Sequence, residues 1–220
     1  MTGLIITIDG PAGAGKTTVS RQLARRLEYR YVDTGALYRG IALAASERGI
    51  DTADDEGLAA MCQGLDLRFA AATAGDRLLS EGVDISDRIR TPEISMMASA
   101  VSARPVVRDF LLTLQRRLGR EKRVVFEGRD MGTVVFPEAD VKFFLDASVD
   151  ERARRRYAEM PEDKGVTFQQ IKADIQRRDE NDRSRAHAPL KPAEDAVIVD
   201  STGISAEEVV AQMLAYVKSV

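Results

Sequence analysis

Leu4-Ile5-Ile6-Thr7-Ile8-Asp9-Gly10-Pro11-Ala12-Gly13-Ala14-Gly15-Lys16-Thr17-Thr18 decides how the rest of the chain is read. A β-branched run stops at Gly10, glycines stand at 10, 13 and 15, and a Lys-Thr pair follows. Beyond it Val19, Leu23 and Leu27 share one face of a helical pattern. Gly10, Gly15, Lys16 and Thr17 fill every fixed position of the template G-x-x-x-x-G-K-[ST]. Glycines let the backbone curl until successive N–H groups point into one concavity, and the helix start adds its positive dipole end there. Lys16 can reach β- and γ-phosphates as a point charge, and the Thr17 hydroxyl can ligate Mg²⁺. A strand before and a helix after separate this from an ordinary glycine-rich turn, so the stretch reads as a nucleoside-triphosphate site.

The totals bound the rest. A length of 220 residues suits one substantial α/β domain with a small insert. With 44% hydrophobic and 30% charged residues, the composition is that of an ordinary globular protein. A formal net charge of −3 gives no global basic field to attract nucleic acid, so none is expected as a partner. Arginine is nonetheless dense at 152–156 and 177–185, which suggests local anion sites. The single cysteine, Cys62, excludes an intramolecular disulfide and reads as a small buried thiol beside Leu58, Ala59 and Met61. No 18-residue apolar run occurs and the chain enters a strand almost at once. Neither a signal peptide nor a membrane span is expected, and a cytoplasmic monomer is the default.

Four further apolar runs follow the first: 29–32 ending at Asp33, 123–126 ending at Glu127, 141–145 ending at Asp146, and 196–199 ending at Asp200. Helical patterns separate them, which describes a doubly wound parallel sheet whose ligands gather at the carboxyl ends of the strands. Gly10, Asp33, Glu127, Arg129 and Asp130 are therefore expected around one cleft. A helical pattern runs from Asp33-Thr34-Gly35 to about Arg48, with Thr34 as the expected cap and Arg39 about one turn in. Hydroxyl, free amides and arginine together could hold a second phosphate; a capped surface helix with a solvated arginine fits equally well. Another helix is expected over 51–64. From 65 to 89 short alternating runs, broken at Gly75-Asp76 and Glu81-Gly82, predict a small antiparallel insert. Pro92 then opens a helix carrying Ser99, and Pro105 one carrying Arg108.

Late in the chain Phe168, Ile171 and Ile175 mark a core-facing stripe. The same rhythm next reaches Arg178, Asp182 and Arg185, so charge replaces hydrocarbon on the inward face if the helix persists. Such ions should face one another, a cleft or a charged ligand, or else the helix leaves the core. Ahead of it, Arg152, Arg154, Arg155 and Arg156 lead into a Pro- and Gly-containing loop. This basic helix could close over phosphates, or it could be a solvated face. His187, the only histidine, lies in a loop ahead of Pro189 and is not expected to act as a general base.

Taken together, the amino-terminal Ile-Asp-Gly-Pro-Ala-Gly-Ala-Gly-Lys, Asp33-Thr34-Gly35-Ala36-Leu37-Tyr38-Arg39, Glu127-Gly128-Arg129-Asp130-Met131-Gly132-Thr133-Val134-Val135-Phe136-Pro137 and Arg178-Asp179-Glu180-Asn181-Asp182-Arg183-Ser184-Arg185 resemble the bacterial cytidylate kinases. These are nucleoside monophosphate kinases of the P-loop class, and the likeness covers nearly the whole chain. The resemblance implies a P-loop NTPase-type, doubly wound five-stranded parallel sheet with a core over 1–64 and 90–220, a monophosphate-side insert at about 65–89 and an Arg-rich lid at about 152–166. It implies ATP on Gly10, Pro11, Ala12, Gly13, Ala14, Gly15, Lys16, Thr17 and Thr18, with Mg²⁺ at Thr17. It further implies Arg39, Arg129 and Arg185, aided by Thr34, around the acceptor phosphate of CMP. Ser99, Arg108 and Asp130 would read the cytosine edge, and Arg178 and Asp182 would hold the sugar. An aspartate can accept from the exocyclic amine of cytosine, which uracil lacks.

The expected reaction is ATP plus CMP or dCMP giving ADP plus CDP or dCDP. Lys16, Mg²⁺, Arg129 and a lid arginine (Arg152, Arg155 or Arg156) would stabilise the transferred phosphoryl group. Two other readings stand beside it: a P-loop kinase for another small acceptor such as shikimate, and a non-catalytic nucleotide switch. The chain lacks an Asn-Lys-x-Asp guanine-reading motif, which counts against the switch.

Overall fold

The computed structural model describes residues 3–70, 76–160 and 165–220. The elements begin with β1 (Ile5–Asp9), α1 (Lys16–Leu27), β2 (Arg30–Asp33), α2 (Thr34–Glu47) and α3 (Asp55–Gly64). Three short strands follow, β3 (Leu67–Ala70), β4 (Arg77–Ser80) and β5 (Val83–Asp84), then α4 (Pro92–Val101) and α5 (Pro105–Leu118). The chain continues through β6 (Val124–Glu127), β7 (Val141–Asp146), α6 (Val149–Ala158), α7 (Phe168–Arg183), β8 (Val197–Asp200) and α8 (Ala206–Ser219). Two compact units divide it: Met1–Tyr31 with Lys122–Val220, and Val32–Glu121.

The five apolar runs form the expected five-stranded sheet, in the order β2-β6-β1-β7-β8. Strand β1 pairs in parallel with β6, Ile5 opposite Val124, and with β7, Ile6 opposite Val141. A strand flanked on both sides and covered on both faces needs apolar side chains throughout, which is why β1 and β6 read as continuous runs rather than alternations. Ile6, Ile8, Val125, Phe143 and Leu145 of this sheet are fully or almost fully buried. They join Val19 and Leu23 of α1 and Val210 and Met213 of α8 in the core of the larger unit.

The smaller unit has its own core, built from Leu37 and Ile41 of α2, Leu58 and Met61 of α3, and Val101, Val107 and Leu111 of α4 and α5. Strands β3, β4 and β5 form the expected antiparallel sheet, with Leu67 opposite Ser80 and Leu79 opposite Asp84. The sheet belongs with α2–α5, so the second unit is wider than the 65–89 insert read from the sequence. Residues 71–75, with one side of the Gly75-Asp76 turn, lie outside the described residues, as do lid residues 161–164. The helix expected over 51–64 starts only at Asp55, because the Asp54 carboxylate accepts from the Gly57 N–H at 2.9 Å and caps it. Strand β5 has only two residues before the chain turns into a 3₁₀ turn at Arg88–Arg90. Cys62 is buried, and burial pushes its thiol up to about 11.

Candidate active site

The loop between β1 and α1 is folded by its carbonyls as much as by its glycines. Gly10 has φ +148°, and a Cβ there would stand 2.0 Å from the Leu145 carbonyl oxygen of β7. No side chain fits at that position. The Pro11 carbonyl accepts from Lys16 Nζ at 2.7 Å, the Ala12 carbonyl from Arg152 Nη1 at 3.0 Å, and the Ala14 carbonyl from Ser201 Oγ at 3.2 Å. With these acceptors turned toward protein donors, the loop offers its amides for an anion. Lys16 is buried, and burial brings its amine down to about 7, helped by the charge of Arg129 and opposed by Glu127. An anion bound there would restore the charged form.

Both oxygens of Glu127 are engaged: Thr17 Oγ1 donates to Oε1 at 2.9 Å and the Tyr31 hydroxyl to Oε2 at 2.5 Å. Among the described residues no cluster of His, Cys, Asp or Glu could hold a metal alone. Thr17 beside a carboxylate suits Mg²⁺, which keeps most of its shell as water and phosphate oxygens.

At the end of β1, Asp9 is 4% exposed and accepts from the backbone N–H groups of Met131 at 2.9 Å and Gly132 at 2.8 Å. Burial pushes its carboxyl from 3.8 to about 7; Asp130 adds to this, and the two amide donors and Lys16 oppose it. The folded state therefore binds this proton more tightly than the unfolded chain does. The stabilisation from Asp9 is complete below its unfolded value of 3.8 and is lost as the pH rises through about 7. Urea unfolding at about pH 5 and about pH 8 is expected to show wild type losing about 3 kcal/mol relative to Asp9→Asn. A difference that did not change with pH would refute it.

Asp182 on α7 is buried and gathers two arginines: Arg129 Nε donates to Oδ2 at 3.1 Å, and Arg185 pairs with Oδ1. Of the three charged residues on the expected rhythm, Asp182 and Arg185 thus meet as ions facing one another, joined by Arg129. The helix itself ends at Arg183, so Arg185 reaches Asp182 from beyond its last turn. The buried stripe departs from the expected rhythm. It runs Ile171, Ile175, Asp179, Asp182, while Arg178 lies on the exposed side. A step of four from Ile175 is as helical as a step of three, and Asp179 was missed for that reason.

Asp179 receives Arg152, whose side chain is 2% exposed, at 2.6 Å from Nη2. The same guanidinium donates to the Ala147 carbonyl at 2.9 Å and to Ala12 in the loop. Of the three lid candidates, Arg152 is the one that forms a buried strut between α6, α7 and the phosphate-binding loop. Arg155 donates to the Ser201 carbonyl at 2.6 Å, to Ser201 Oγ at 3.0 Å and to Glu151 at 3.1 Å. Arg154 and Arg156 are the exposed members of the run, paired with Glu151 and Glu159.

In the smaller unit the cap of α2 is Asp33 rather than Thr34. Asp33 Oδ1 accepts from the Ala36 N–H at 3.1 Å, while Thr34 is buried as the first helical residue. A carboxylate outcompetes a hydroxyl for this place because the helix start is positive. Asp33 Oδ2 also accepts from Arg39 Nη2 at 2.8 Å. Among the described residues the buried Arg39 Nε has no hydrogen-bond partner, an unmet cationic donor that suits an anion. Arg108 donates to the Ser102 carbonyl at 3.1 Å and lies 5.8 Å from the centre of the Tyr38 ring. Ser99 is half-buried on α4, its carbonyl accepting from Ser102 Oγ.

Comparison with known proteins gives the following likenesses. The family model described as cytidylate kinase matches residues 6–219. A cytidylate kinase of Geobacter sulfurreducens is 53% identical over 98% of this chain and 93% of its own. A second, from Geobacter sp. strain M21, is 50% identical with the same coverage. Among solved structures, a gluconokinase from Sinorhizobium meliloti superposes with TM-score 0.51 at 16% identity, covering 99% of this chain and 93% of its own. That last likeness concerns the fold.

Proposed function

This chain belongs to the cytidylate kinase family, and on that premise we propose how its residues divide the work. The reaction is transfer of a phosphoryl group to CMP or dCMP. ATP is the donor, its phosphates resting on the amides of the Gly10–Thr18 loop with Lys16 beside them. Arg129 and Arg185 take the acceptor phosphate and Asp130 reads the cytosine amine, with Arg178 and Asp182 at the sugar. Thr34, Arg39, Ser99 and Arg108 are further CMP contacts in this reading. The observation that carries this reading is the pair of guanidiniums held on one buried carboxylate at Asp182. Such a fork matches the two-oxygen edge of a phosphate.

The transition state spreads charge over the transferred phosphoryl oxygens, so the residues act by position and charge. Lys16 and Arg129 take this role in the proposal. Arg155 and Arg156 serve from the lid, and Arg155 must exchange Ser201 for the phosphoryl oxygens. A CMP phosphate oxygen is itself the nucleophile and is already ionised near neutral pH, so no general base is required. The lone histidine, His187, is exposed in its loop and takes no part. Mg²⁺, held at Thr17 and through water at Glu127, would neutralise charge on the β- and γ-phosphates.

Among the described residues no helix is long and apolar enough to cross a membrane. A coupled ADP-release assay over all the nucleoside monophosphates and shikimate tests the assignment. CMP and dCMP are expected to be turned over at least tenfold more efficiently than UMP or AMP, because an acceptor left unpaired at Asp130 penalises the wrong base. Equal use of UMP and CMP would remove Asp130 from base reading. ATP turnover without any acceptor would favour the switch reading.

A further inference from the structure

We propose that Asp9 is a positioning residue for the acceptor nucleotide, fixing the turn that presents Arg129 and Asp130. The proposal rests on the reading of those two residues as CMP contacts. Asp9 is the last residue of β1, set opposite Phe144 of β7, and the phosphate-binding loop begins at the very next position. Its two carboxylate oxygens serve two different amides, Met131 on Oδ1 and Gly132 on Oδ2. Both donors are buried, so neither can turn to water if the carboxylate is lost.

The turn has little room to find another seat. A Cβ on Gly132 would lie 3.1 Å from Thr7 Oγ1 and 3.2 Å from Lys142 Cδ, so the backbone of the turn presses directly on β1 and β7. Asp130 is held from its other side, because its carbonyl accepts from Val134 at 2.9 Å and Val135 at 3.2 Å. Arg129 and Asp130 precede the two anchored amides directly, so their direction depends on where those amides are fixed. Only a carboxylate suits this place. It is acceptor-only on both oxygens, whereas Asn would turn an NH₂ group toward one of the two N–H donors. Burial opposes the ionised form, and the neighbouring Asp130 opposes it further. The two amide donors favour it, and a proton taken up near pH 7 would turn one of the two oxygens from acceptor to donor. One residue thereby anchors the start of the donor loop and the acceptor-reading turn together.

Isothermal titration of the full chain with CMP alone, and separately with ATP alone, tests this. Asp9→Asn is expected to raise the CMP dissociation constant at least tenfold and the ATP constant less than threefold. Arg129→Ala, run beside it, tests the underlying reading. Unchanged CMP affinity in Arg129→Ala would sink that reading. Unchanged affinity in Asp9→Asn, with loss in Arg129→Ala, would overturn only the role of Asp9. Equal loss of ATP and CMP in Asp9→Asn would mean general damage and also overturn it. Should Asp9→Asn fail to fold, amide spectra of wild type decide the matter. CMP is expected to shift the Met131 and Gly132 resonances, and their failure to move would count against the proposal.

Discussion

Lys16→Met is expected to lower turnover by about 100- to 1,000-fold while leaving the protein at least as resistant to thermal unfolding. The first half follows from the place of Lys16 at the head of α1, its ammonium bonded to the Pro11 carbonyl inside the loop proposed to hold the ATP phosphates. Charge that develops on the transferred group meets that ammonium in a site already short of water, where removing one fixed donor costs most. The second half follows from burial. An amine 4% exposed and brought down to about 7 by burial adds little stability to the fold as an ion. Methionine keeps the length of the side chain, and its only debt is the bond to Pro11, worth about 1 kcal/mol. Steady-state kinetics and a melting curve on the same preparation check both halves. A variant that unfolds many degrees lower would place Lys16 among the structural residues; one with wild-type turnover would remove it from catalysis.

Arg152→Leu is expected to destabilise the fold by about 3–5 kcal/mol, the largest loss anticipated for any single arginine here. Its partner Asp179 would be left ionised and buried, with Oδ1 lacking a hydrogen-bond partner among the described residues. The carbonyls of Ala12 and Ala147 would lose their donor as well. Against a typical total stability of about 5–15 kcal/mol, this is a large fraction. The double variant Arg152→Leu, Asp179→Leu is expected to recover much of the loss, since an apolar pair replaces an ion pair at little net cost. Urea titrations of wild type and the three variants measure the coupling. Additive losses would mean that the two residues act independently. Because Arg152 also holds Ala12, the KM for ATP should rise in the single variant more than the KM for CMP.

Much of both units is legible from residue patterns. The five apolar runs and the glycine spacing, and in the smaller unit the Pro-initiated helices α4 and α5, appear where periodicity and capping chemistry place them. What periodicity cannot fix is a choice between steps of three and four, which hid Asp179 behind Arg178. Nor can residue type alone choose between adjacent capping residues. Asp33 won that place over Thr34 because it could serve the helix and Arg39 at once. The arginine run on α6 was ambiguous for a different reason. Identical side chains one helical turn apart meet different surroundings, so Arg152 became a buried strut, Arg155 a half-buried clasp on Ser201, and Arg156 a solvated ion. Asp9 escaped notice because it looks like the polar end of a strand, and its two amide partners lie more than 120 residues away.

The fork at Asp182 bears on how fast an anion can be captured. Free arginines sample many rotamers, and freezing one costs up to about 2 kcal/mol. Here Arg129 and Arg185 are immobilised before any ligand arrives. An incoming dianion thus meets guanidinium groups already oriented by Asp182, and its capture costs little further side-chain entropy.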